Sequence, residues 1–254
     1  MKYRPWIYPP LALALLMPSV IWADLAQGLD AAAKEDWPTA YREFKESALR
    51  GNANAAVNLG NLYMRGLGVP QDYTQARTWY EKAALESNPI AEAKLGVMYY
   101  VGLGVEENRT RAAEWFQKAG DQGDAHSAMT LAEMYLVGDG VPTNRTEAYI
   151  WFTIASDLGY READEPRTKL ATELPAAEIN TALERVDGWR KSYDQQVEKA
   201  ARLTAKRSAP PEAAEQPSKE THPAVKPPAG APSEKKTPRK RKTEGLQGEK
   251  RPKG

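Results

Sequence analysis

The chain of 254 residues contains no cysteine. That absence excludes disulfide frameworks, zinc knuckles, iron–sulfur clusters and thiol nucleophiles together. Histidine is almost as scarce, with only His126 and His222. No Ser-His-Asp or His-Glu-x-x-His arrangement exists, and His126, in a turn after Asp124, reads as a surface or hydrogen-bonded side chain rather than a ligand or base. No metal and no cofactor is expected. An excess of one charge is missing too, since 35 basic and 34 acidic residues give +1. A hydrophobic fraction of 41% nevertheless suffices for a packed core, so the chain is not disordered throughout.

The neutral total conceals an asymmetry. Lys2 and Arg4 precede an apolar stretch from about Leu11 to Ile21, and Ala23 precedes Asp24. This is the order of a secretory signal peptide, residues 1–23. The apolar stretch is about half the ~20 residues that a membrane span needs, and Pro18 weakens it as a helix. Cleavage after Ala23 is expected, which makes the mature protein periplasmic or secreted. Ile21 stands where a small residue is usual, so an uncleaved anchor in the inner membrane is the alternative. At the other end, residues 205–254 hold nine prolines, 13 basic and 6 acidic residues, net +7, and are expected to be disordered. Lys235, Lys236, Arg239, Lys240, Arg241 and Lys242 form a cluster suited to an anionic lipid or envelope polymer, at ~1 kcal/mol per charge. The export signal argues against nucleic acid, and a solubilising tail without a partner is the plain alternative. Between the ends, residues 24–204 carry 20 basic and 28 acidic residues, net −8.

That middle repeats with a period of 36 residues. Leu59, Leu95 and Leu131 align, as do Tyr63, Tyr99 and Tyr135; Gly66, Gly102 and Gly138; Gly68, Gly104 and Gly140; and Trp79, Trp115 and Trp151. Each unit reads as two helices. The first, about Ala55–Arg65 in the first unit, places Leu59, Leu62 and Tyr63 on one face and stops at glycines able to adopt left-handed angles. Asp72, Asn108 and Asn144 are placed as N-caps of the second helix, which carries Ala76, Trp79, Tyr80 and Ala83 as its packing stripe. Asn108-Arg-Thr110 and Asn144-Arg-Thr146 are formal glycosylation sequons that coincide with these caps. Gly51, Ser87, Gly123 and Gly159 mark the turns between units. Asn88, before Pro89, is the expected left-handed residue where Ser87 replaces glycine.

The stretch AAVNLGNLYMRGLGVPQDYTQARTWYEKAALESN from Ala55, repeated onward, resembles the Sel-one-like repeat (SLR) family, relatives of the tetratricopeptide repeats. The resemblance implies an all-α, right-handed superhelical solenoid of antiparallel helix pairs that binds proteins or peptides as an adaptor. Secreted relatives associated with penicillin binding resemble cysteine-paired repeats, a feature this chain lacks. The expected organisation is a helical half-repeat or cap over 24–54, repeats over 55–90, 91–126 and 127–162, and a C-terminal cap over 163–204. Arg167 to Leu174 should form a further first-type helix, started late or kinked by Pro166. A long helix from about Pro175 to Leu203 follows, with Ile179, Leu183, Val186, Trp189, Tyr193, Val197 and Ala200 as its apolar stripe.

A second stripe on the first helices varies from unit to unit: Val57, Asn61 and Met64; Ala93, Val97 and Tyr100; Met129, Glu133 and Leu136. The candidate partner-binding residues drawn from it are Met64, Val97, Tyr100, Glu133 and Leu136; packing against the next first helix is the alternative use of these positions. The Gly-x-Gly turns follow helices and lack the Lys-Ser/Thr of a phosphate loop. Carboxylates are spread over solvated faces, with no site expected to raise a pKa. The chain is therefore read as a non-catalytic, exported scaffold that holds a protein or peptide partner in the cell envelope. An envelope enzyme or accessory subunit acting on peptidoglycan or β-lactams, and a structural or oligomeric envelope protein, are the alternatives.

Overall fold

The computed structural model describes residues 17–208, with side chains over 25–203 and at Ala205. The first sixteen residues of the expected signal peptide, and residues 209–254 of the expected tail with its basic cluster, lie outside them; residues 205–208, expected in that tail, are instead the end of the last helix. The described chain is a solenoid of antiparallel helix pairs: α1 (Met17–Ala33) with α2 (Trp37–Leu49), α3 (Ala53–Arg65) with α4 (Tyr73–Leu85), α5 (Pro89–Val101) with α6 (Arg109–Asp121), and α7 (Ala125–Val137) with α8 (Arg145–Asp157). A 3₁₀ turn (Arg161–Ala163), α9 (Asp164–Glu173) and the long α10 (Ala176–Ser208) pack on α8 and close the array. No strand occurs among the described residues.

Local chemistry sets the boundaries. α3, α5 and α7 end at Gly66, Gly102 and Gly138, whose φ values of 68°, 73° and 81° allow each glycine N–H to bond the carbonyl four residues back. The second glycine of each turn has a further reason to lack a side chain. A Cβ at Gly68 would lie 2.7 Å from the carbonyl of Trp37, and Gly104 and Gly140 meet Tyr73 and Arg109 in the same way. Each turn thus presses on the start of the preceding unit's second helix. Asp72, Asn108 and Asn144 accept the backbone N–H three residues on, as their placement at the caps predicts, so both sequon asparagines are engaged in capping.

Three local expectations change. At the α4–α5 junction the left-handed residue is Ser87, φ 53°, while Asn88 is extended. Asn88 has to be extended because its side chain caps α5 through Ala91 N–H and because it precedes Pro89. Pro166 neither delays nor kinks α9, which begins at Asp164: proline lies in the first turn, where its missing N–H has no intrahelical partner. The half-repeat or cap expected over 24–54 is a complete helix pair. α1 packs on α2, with Leu25, Gly28 and Ala31 buried and Gly28 against Phe44. The turn joining them lacks the Gly-x-Gly insert, so this pair falls outside the 36-residue period.

The packing stripe of the second helices forms the core. Tyr80, Phe116 and Phe152 are at most 2% exposed, and Ala76, Ala112 and Ala148 are fully buried. The core is a continuous strip in which Val105 and Trp115 touch both its N-terminal and C-terminal parts. Opposite the three aromatics, the first helices carry Gly60, Gly96 and Ala132, small residues at one repeat position that admit a ring. On α10, Ala182 and Val186 are buried and Trp189 stacks on Tyr193 at 5.1 Å, whereas Val197 is half exposed. Among the described residues no helix is long and apolar enough to cross a membrane.

Candidate functional site

The variable stripe of the first helices divides by burial. Val57 is buried, and Asn61 is committed to the core as acceptor for the Tyr80 hydroxyl at 2.8 Å. Met64 and Leu136 are half-buried against the core. Val97 and Glu133 are exposed, and Val97 with Ile90, Val101 and Val137 puts apolar surface on the solvent side of α5 and α7. Tyr100 is half-buried and engaged within the chain: its hydroxyl donates to Asp139 at 2.9 Å, and Arg109 donates to the same carboxylate while its guanidinium lies 3.8 Å from the Tyr100 ring centre. This cluster joins the α5–α6 pair to the turn after α7. The hydrogen bond to Asp139, with burial added, raises the Tyr100 pKa.

His126 is exposed in the first turn of α7, 3.4 Å from the Tyr160 hydroxyl. Among the described residues no group of three or more His, Asp or Glu side chains could hold a metal.

One carboxylate departs from the expectation of solvated acids. Glu92 of α5 is 4% exposed, its carboxylate accepts from Gln122 Nε2, and burial raises its pKa against the opposing attraction of Lys118. Ala56 and Ala128 occupy the same position in the neighbouring units, so a single acidic residue in an otherwise alanine column was the available signal.

Tandem helix pairs with a fixed packing core and a varied outer surface define a helical-repeat protein. The profile of the Sel1 repeat family matches residues 53–88, 89–124 and 125–160, each match starting on the first residue of a first helix. Residues 53–160 are three tandem Sel1 repeats. It is similar to a crystallised Sel1 repeat protein from Oxalobacter formigenes, with 29% identity and a TM-score of 0.52, over 54% of this chain and 56% of that one. It is also similar to c5321, a protective antigen of uropathogenic Escherichia coli strains displaying an SLR fold. There the identity is 28% and the TM-score 0.55, over 70% of this chain and 37% of that one. In both cases the match spans less than two thirds of the relative. No curated protein matches the chain. Sel1 repeat proteins mediate protein–protein interaction, and their fold is a typical non-catalytic scaffold.

Proposed function

We propose that this chain is an exported, non-catalytic scaffold of the cell envelope that holds a protein or peptide partner on the variable row of its first helices. The residues concerned are Met64, Val97, Tyr100, Glu133 and Leu136. The observation that carries the reading is the exposed apolar surface of α5 and α7, where Val97, Val101 and Val137 are 39%, 50% and 72% exposed beside a rigid packed core. Tyr100 and Leu136 form the half-buried edge of that surface, the combination of anchored and accessible side chains that partner contacts favour. The basic and apolar N-terminal residues and Ala23 support export, and Lys235 to Lys242 support a tether to an anionic lipid or polymer.

A photo-crosslinking residue at Val97 or Glu133, introduced into the full chain in its native cells, tests the row. A discrete crosslinked protein from these positions, absent from a control position at Glu114, is expected. Equal labelling from all three positions would count against the row. N-terminal sequencing of the recovered protein should begin at Asp24; retention of Met1 in a cytosolic fraction would overturn the export reading.

A further inference from the structure

On the side of the second helices the solenoid carries the same recess twice. One, of about 290 Å³, is lined by Ala48, Leu49, Ala56, Trp79 and Lys82. The other, of about 540 Å³, is lined by Ala84, Leu85, Glu92, Trp115 and Lys118. Every residue of the second set stands 36 positions after its counterpart in the first. Leu85 and Lys82 line both recesses, so the two are neighbours along one row. In the third copy the corresponding residues are Gly120, Asp121, Ala128, Trp151 and Ile154. A Cβ on Gly120 would lie 2.9 Å from the Trp151 ring, so the indole uses the space that alanine holds in the other copies.

Two features indicate what the open pair accepts. Leu49 and Leu85 are 65% and 84% exposed, an apolar edge running along both recesses. The floor of the larger recess is Glu92, a buried carboxylate where the first and third copies have alanine. Burying a carboxylate is costly without a cationic or hydrogen-bonding partner. Gln122 supplies one hydrogen bond, and the attraction of Lys118 supplies the charge. Lys118 is itself exposed, with its ammonium 4.1 Å from the centre of the Trp115 ring. A cation attracted by a buried carboxylate therefore already lies over the indole face here, and a flexible, solvated lysine is what occupies the position.

We infer that the two recesses receive one extended segment of a partner protein, an apolar side chain entering the smaller and an arginine or lysine entering the larger, its cation lying between Glu92 and Trp115 in place of Lys118. The net charge of −8 over residues 24–204 favours approach of a basic segment. This surface is distinct from the row on the first helices: Glu92 is five residues from Val97, about 140° round α5. It rests on the protein-binding role of Sel1 repeats and not on that row, so either can fail alone.

The test uses the full chain and fluorescein-labelled short peptides in which leucine is followed, two to five positions on, by Arg, Lys, Gln or Glu; binding is read by fluorescence polarisation. Arg and Lys peptides should bind about tenfold more tightly than their Gln counterparts, as expected for one charge-assisted contact. Glu92→Ala, the residue of both other copies, should keep the melting temperature within a few degrees and abolish that preference. Lys118→Met should strengthen binding of the Arg peptides, because the internal competitor is gone. Val97→Ser and Leu136→Ser should leave binding unchanged. Failure of every peptide to bind, preference for the Glu peptides, a preference that survives Glu92→Ala, or weaker binding by Lys118→Met would each overturn the inference.

Discussion

Gly96→Ala asks whether the small residue opposite each core aromatic is a packing requirement. An added Cβ would lie 2.6 Å from both Cδ1 and Cε1 of Phe116, against a normal carbon–carbon contact of about 3.5–4.0 Å. Phe116 is 2% exposed and enclosed by the α5–α6 pair and its neighbours, so the ring has little room to retreat. The substitution gains about 0.8–1.0 kcal/mol of helix propensity and loses about 1–3 kcal/mol to overpacking. Gly188→Ala is the matched control: Gly188 is exposed within α10, nothing lies within 4 Å of its missing Cβ, and only the propensity gain applies. The two variants should therefore differ by about 1–3 kcal/mol, the overpacking cost alone. For a folded unit of this size that separates their melting temperatures by roughly 2–12 °C, measurable by far-UV circular dichroism. Adding Phe116→Leu to Gly96→Ala should recover part of the loss. If Gly96→Ala stabilises as much as Gly188→Ala, the close approach of ring and helix is refuted.

Ser87→Gly should stabilise the fold by about 0.5–1 kcal/mol, because glycine adopts the left-handed angle that serine holds at a cost; urea unfolding checks this, and no gain would mean that Ser87 is unstrained. Tyr100→Phe keeps the ring under Arg109 but removes the hydroxyl bonded to Asp139, with an expected loss of about 1 kcal/mol in the same assay. Glu92→Gln should raise the melting temperature near neutral pH but not in acid. Burial raises the Glu92 pKa in the folded state, so the protonated form costs nothing extra below the ordinary glutamate pKa. The penalty then grows as pH rises from there through the raised folded value. A melting difference between wild type and Glu92→Gln that is constant across a pH series would contradict this account.

The helix boundaries were legible because their causes are local. A cap at Asp72 or Asn144 and a left-handed turn at Gly66 or Gly102 depend on residues within one turn, and each pattern recurs at 36-residue intervals. The errors arose where two local demands competed or where a pair departed from the period. At the Ser87–Asn88 junction asparagine is the residue better suited to a left-handed angle, but it caps α5 and precedes Pro89, so serine takes the angle at a cost. Pro166 weakens a helix interior yet is harmless in a first turn, and one sequence does not say which turn it occupies. α1 has no Gly-x-Gly insert to bring it into register with the later first helices.

What the sequence by itself determined is the period, the paired helices, their caps and the identity of the packing positions, since a repeated unit states the same local rules three times. Only the tertiary structure decided which outer residues are free. Tyr100 meets Asp139 across 39 positions of chain, Trp151 settles against Gly120, and Glu92 forms the floor of a recess between α4 and α6. These outcomes depend on how one helix pair stacks on the next, a distance between residues in different units that no periodicity within a unit contains.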